Sequence, residues 1–175
     1  LGMCQELEPN DIDEKVLSST NILYLTGFLW DTESQKASVR HALEMAENLP
    51  VKVALSLSDP FCVERHHQDF NELIRSRVDL LFCNQEEAFT MMETQVTQEA
   101  LAGLSENVET VVMTLGNRGS LICNQGQIYY IDPIEVEVVD TTGAGDAYAA
   151  GFLYGFSHDQ SIMNCGRIAS VMAGT

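Results

Sequence analysis

Four short apolar runs, at 22–28, 51–57, 79–83 and 108–115, alternate with stretches whose apolar residues recur at helical spacing. A strand that is apolar at nearly every position needs cover on both faces. A sheet obtains that cover when its strands are parallel and helices form the crossovers. In 33–48 the apolar positions Val39, Ala42, Leu43 and Ala46 share one helical face, and Pro50 stops the helix. Phe70, Leu73 and Ile74 mark a second helix, 84–92 a third and 96–105 a fourth. After Leu115 the rhythm changes. Residues 120–123 and 127–131 flank Asn124-Gln125-Gly126 as a hairpin, 136–139 is a short extended run, and helices follow at 144–157 and 160–173. The expectation is one α/β domain over 1–175 with a mostly parallel central sheet.

Charge narrows the partners. Nine Lys and Arg stand against 26 Asp and Glu, a net charge of −17. Such a chain repels nucleic acid and anionic membrane surfaces, so neither is an expected partner. A small anion is a different matter, because a few local N–H groups outweigh distant surface charge. Apolar residues make up 45% of the chain, enough for a core, yet no apolar run is long enough to span a bilayer. The five cysteines, at 4, 62, 83, 123 and 165, are widely spaced and form no Cys-x-x-Cys pair. That suits neither structural zinc nor a disulfide scaffold and points to a reducing, cytoplasmic setting. Cys83 and Cys123 lie in apolar runs and read as small core residues. The opening Leu1-Gly2-Met3-Cys4 lacks signal-peptide character, and both ends read as cut from a longer chain.

Chemistry concentrates in the stretch from Val138 through Asp140, Thr141, Thr142, Gly143, Ala144, Gly145 and Asp146 to Tyr148. An extended run ends in Asp140, and a Gly-Ala-Gly turn leads into a helix of small residues. Bare N–H groups at a helix start form a nest for an anion, and the helix dipole strengthens it. A carboxylate in the same turn, Asp146, is placed to accept a proton from a hydroxyl beside that anion. The alternative is a plain connection in which Asp146 caps the helix.

Two further loops follow strands. Asn84 and Glu87 sit three apart after the third apolar run, where one carboxylate suffices to hold a hydrated Mg²⁺. The same pair reads equally as a capping box. Thr114-Leu115-Gly116-Asn117-Arg118-Gly119 follows the fourth run, and its glycines permit a tight turn and close approach of a flat ligand or phosphate. Arg118 points either to phosphate or to solvent. Asp59 stands before Pro60 as a turn residue or a cleft residue. His66 and His67 are adjacent and share no helix face, so they make no metal site. Tyr24, Phe28 and Trp30 read as core or cleft wall, with Trp30 placed near a substrate.

The three loops, in this order, resemble the motifs of the ribokinase-like (PfkB) family of carbohydrate and nucleoside kinases, and the similarity runs over essentially the whole chain. The resemblance implies a ribokinase-like three-layer α/β/α fold, incomplete at its N-terminus and without the family's small β lid. It implies that Asp146 is the general base and that the N–H groups of Gly143, Ala144 and Gly145 form the anion hole. Asn84 and Glu87 would organise Mg²⁺ and phosphate, and Thr114, Gly116 and Gly119 the nucleotide turn. Asp140 falls near the family's monovalent-cation loop, where some members bind K⁺. The implied activity is phosphoryl transfer from ATP, with Mg²⁺, to a hydroxyl of a small molecule.

Tyr24-Leu25-Thr26-Gly27-Phe28 and Leu55-Ser56-Leu57-Ser58-Asp59-Pro60-Phe61 resemble the adenosine kinase branch, which makes adenosine the expected acceptor. The alternatives are a sugar kinase of the ribose or fructose type and a non-catalytic nucleotide- or metabolite-binding protein. An unrelated α/β binding domain is favoured only if the three loops fail to converge on one crevice. Family members are longer, so the 175 residues alone are expected to hold part of a nucleotide site without turnover.

Overall fold

The apolar runs become the strands of a single sheet in the computed structural model, which describes residues 2–135 and 141–174. In chain order these are β1 (Ile22–Thr26), β2 (Lys52–Ser56), β3 (Leu80–Asn84), β4 (Thr110–Thr114), β5 (Ser120–Asn124) and β6 (Gln127–Ile131). Each strand pairs with its sequence neighbours, giving the order β1-β2-β3-β4-β5-β6. The first four are parallel and the last two antiparallel. The helices are α1 (Glu14–Ser18), α2 (Glu33–Ala46), α3 (Pro60–Ser76), α4 (Gln85–Met92), α5 (Thr97–Ser105), α6 (Ala144–Ser157) and α7 (Ile162–Ala173).

Alternation along the strands divides the core in two. Leu25, Val53, Leu55, Leu81, Cys83, Val111 and Met113 face α2 to α5. Ala54, Leu80, Phe82, Val112 and Ile122 face α6 and α7. Strands added in one direction by crossovers of one hand must place all their connecting helices on one face. The opposite face is left to α6 and α7, which the chain reaches only after the β5–β6 hairpin has turned it round. These two helices pack closely, with Gly151 of α6 against Ala169 and Gly155 against Cys165. The result is the three-layer α/β/α fold that the resemblance implies.

Several boundaries differ from the sequence expectations. The first run stops being strand at Thr26, and Gly27–Trp30 turns as a 3-10 helix. The turn carries Trp30 into the core, where it is 5% exposed and meets Phe70 edge-on, ring centres 5.2 Å apart. Trp30 is therefore a core residue, away from the cleft. The second helix of the chain, α2, ends at Ala46, before Pro50 acts. Asp59 is the N-cap of α3, its carboxylate accepting from the Cys62 N–H at 2.9 Å. The extended run at 136–139 lies outside the described residues. All five cysteines are free thiols, and four of them, Cys83 and Cys123 included, are buried. Among the described residues no helix is long and apolar enough to cross a membrane.

Candidate active site

Strand register builds the floor of a cleft at the C-terminal ends of the parallel strands. Ser56 pairs with Phe82 and Phe82 with Val112, one row across β2, β3 and β4. Asn84 and Thr114 form the next row. Residues in these rows point to the α6 side of the sheet, and the N-terminus of α6 closes over them. A cavity of about 410 Å³ lies between, lined by both rows and by Ser58, Glu87, Gly143, Gly145 and Asp146. A second cavity, of about 440 Å³, continues past Thr114, Gly116 and Gly119 to Ile134, Ala144 and Ala173. Thr114, Thr141, Gly145 and Tyr148 line both. The three separated loops therefore converge on one crevice, the arrangement that open α/β sheets use for ligands.

Asn84 and Glu87 form a reciprocal cap on α4. The Glu87 N–H donates to Asn84 Oδ1 at 2.8 Å, and the Asn84 N–H donates to Glu87 Oε2 at 2.9 Å. Asn84 Nδ2 donates to Glu87 Oε1 at 2.6 Å. The capping-box reading of this pair is thus realised, and the same pair lines the cavity. Glu87 is only 4% exposed. Burial, with Asp59 and Glu86 adding to it, pushes its carboxyl up to about 7, against a partial offset from the Asn84 hydrogen bond.

Asp146 stands in the first turn of α6, exposed to the cavity. It is not the N-cap. That position belongs to Gly143, in the left-handed region at φ 78°, and no side chain caps the helix there. The Ala144 N–H donates to the Thr141 carbonyl at 3.1 Å, so of the three N–H groups assigned to an anion hole this one is already engaged. The N–H groups of Gly145 and Asp146 belong to the first turn, where an α-helix supplies no carbonyl partner. Tyr148, one turn on, is buried and shares a hydrogen bond with Ser120 Oγ, which fixes α6 to the start of β5. Asp140 lies outside the described residues.

The glycines divide by surroundings. A Cβ at Gly116, Gly143 or Gly145 would meet nothing within 4 Å. At Gly119, where φ is 81°, it would strike the Ile131 carbonyl oxygen. Gly119→Ala should therefore destabilise the fold by about 2 kcal/mol, read from denaturant unfolding. Gly145→Ala should leave stability unchanged or raise it by up to about 1 kcal/mol, since it places a helix former in α6. The same Cβ would project into the cavity, so nucleotide binding measured by titration should weaken while the melting temperature holds.

Hard oxygen donors suit Mg²⁺, and two carboxylates, Glu87 and Asp146, line one cavity. Among the described residues no cluster of three metal-ligating side chains exists. The donor set therefore fits an ion that keeps most of its water and shares phosphate oxygens. A cavity of about 440 Å³ with a largely apolar lining also fits a nucleoside.

Sequence reasoning named the three loops but not the floor. Ser56, Phe82 and Val112 line the cavity because they share strand parity with Asn84 and Thr114, and that parity was the available signal. Tyr148 carried no signal of its own, since its place depends on Ser120.

Known proteins share this architecture. A probable sugar kinase from Rhizobium etli superposes with a TM-score of 0.95 at 35% identity, over 98% of this chain and 52% of that one. Adenosine kinase from Sinorhizobium meliloti gives 0.94 at 37% identity, over 97% and 53%. An uncharacterized sugar kinase from Archaeoglobus fulgidus is 26% identical over 98% of this chain and 67% of its own length. The chain thus spans about half the length of the two solved relatives. Residues 3–175 match the model of the pfkB family carbohydrate kinases, and the chain belongs to that family.

Proposed function

We propose that the protein carrying this chain transfers the γ-phosphoryl group of ATP to a hydroxyl of a small carbohydrate. One observation supports this above the rest: Asn84 with Glu87, Thr114 with Gly116, and Gly143 with Gly145 and Asp146 line two joined cavities at the strand ends. The apolar cavity beside Gly116 and Ala173 takes the nucleoside end of ATP, and its phosphates run toward α6. The first-turn N–H groups of α6 hold charge on the transferring group, aided by the helix dipole. Asp146 Oδ accepts the acceptor's hydroxyl proton as that oxygen bonds to phosphorus and the bond to the bridging oxygen of ADP breaks. Glu87 holds a hydrated Mg²⁺, which would supply neutralisation of the phosphate charge. Tyr148 keeps α6 in place.

A carbohydrate acceptor is preferred over the adenosine expected from sequence, because the Rhizobium and Archaeoglobus relatives are both sugar kinases by name. Adenosine is the second reading. It is favoured by the likeness to the Sinorhizobium enzyme and by Phe28 in the cleft wall. Both readings are tested together. ADP formation from Mg·ATP by the full-length protein would be followed against a panel of sugars, sugar acids and adenosine. Turnover with a carbohydrate supports the first reading, and turnover with adenosine alone moves the acceptor but keeps the mechanism. ATP that neither binds nor turns over sinks the proposal.

A further inference from the structure

Arg118 is the sole Lys or Arg between Val78 and Gly166, the stretch that carries all three loops of the cleft. Its side chain is exposed but not loose. Nη2 donates to Gln85 Oε1 at 2.6 Å, at the first residue of α4. Gln85 is held in turn, its Nε2 donating to Thr97 Oγ1 at 2.6 Å at the start of α5. From the other side the Tyr130 hydroxyl donates to the Arg118 carbonyl at 2.8 Å. Backbone and guanidinium are both pinned.

What pins the guanidinium is neutral. Lys36, Lys52, Arg65 and Arg77 pair with carboxylates, while among the described residues Arg118, like Lys15, Arg40, Arg75 and Arg167, makes no ion pair, and it alone of the Lys and Arg flanks the cleft loops. An amide oxygen orients the group without cancelling its charge, and it occupies one of five N–H donors. The partner, Gln85, is the residue after Asn84. The flanking residues Asn117 and Gly119 line the larger cavity. A full positive charge is thereby fixed at the rim of a crevice in a chain of net charge −17.

We propose that Arg118 binds the polyphosphate of the nucleotide at this rim, and that Gln85 is its positioning residue. The assignment rests on the kinase reading above. A strut that merely joins the two loops would be a different thing, and Gln85→Glu separates the two. A carboxylate at that position holds Arg118 at least as firmly but neutralises it, and it suits the N-terminus of α4.

The test is equilibrium binding of ATP to the full-length wild type, Gln85→Glu and Arg118→Gln, at low and high salt, with melting temperatures alongside. Both variants should bind ATP about five-fold more weakly at low salt, the difference shrinking as salt screens the rim charge. Gln85→Glu should melt no lower than wild type. Wild-type affinity in Gln85→Glu would overturn this assignment and leave the kinase reading standing. Wild-type protein that binds no ATP would overturn both.

Discussion

Asp146→Asn in the full-length protein should lower kcat by about 10²- to 10⁴-fold, the usual worth of a positioned general base, while ATP binding stays near its wild-type strength. Asn has the shape of Asp but no lone pair basic enough to take the acceptor's proton. The structural cost is small, because Asp146 is exposed and Gly143, not Asp146, is the N-cap. Loss of a negative charge from the first turn of α6 should cost only about 0.3–1 kcal/mol through the helix dipole. The two roles thus separate cleanly. Steady-state ADP release reports the base, and thermal unfolding reports the dipole. A variant that keeps most of its turnover would remove Asp146 from the chemistry and leave it a helix-start residue.

Glu87 gives the second large effect, on stability and pH. Its carboxyl sits at about 7 in the fold, against an ordinary 4.5. The folded state therefore holds a proton that the unfolded state has released across that window. Stability from this group is full below pH 4.5 and is lost as pH rises through 7. The rise from 4.5 to about 7 corresponds to roughly 3 kcal/mol. Glu87→Gln cannot ionise and still serves at the third position of a capping box. Gln offers one acceptor oxygen where Glu87 uses two toward Asn84, a cost that does not change with pH, so the variant should gain roughly 3 kcal/mol on wild type between pH 4.5 and pH 8. Denaturant unfolding of both proteins across this range is the check. Parallel pH profiles would show that the buried carboxyl is not the titrating group.

Legibility from sequence followed the range of the forces involved. The β5–β6 hairpin was readable because its turn needs two positive φ values, and Gln125 and Gly126 supply them at 50° and 80°. Helix α6 was readable to its last residue because Gly143 and the small residues after it act locally. The end of β1 was misplaced because Gly27 and Phe28 are apolar whether they extend a strand or turn into a core. Of the two places the sequence offered Trp30, core or cleft wall, the structure realises the core. Of the cleft, the loops were legible and the floor was not. Ser56, Phe82 and Val112 become neighbours only through register across three strands, and register is a tertiary property. Asn84 and Glu87 show a further limit, since cap and ligand roles use the same atoms and the sequence offered both.

The sequential strand order bears on how the molecule is made. Each strand docks onto one that has already left the ribosome, so the sheet and its α2–α5 layer can assemble during synthesis, with little loop entropy lost at each step. Within these residues the opposite layer follows the sheet. Until α6 and α7 arrive, Phe82, Val112 and Ile122 lack the helices that cover them here, and such apolar surface is prone to aggregation. The helix that carries Asp146 to the cleft is also the one that covers this surface, so the same docking event buries the sheet and closes the crevice.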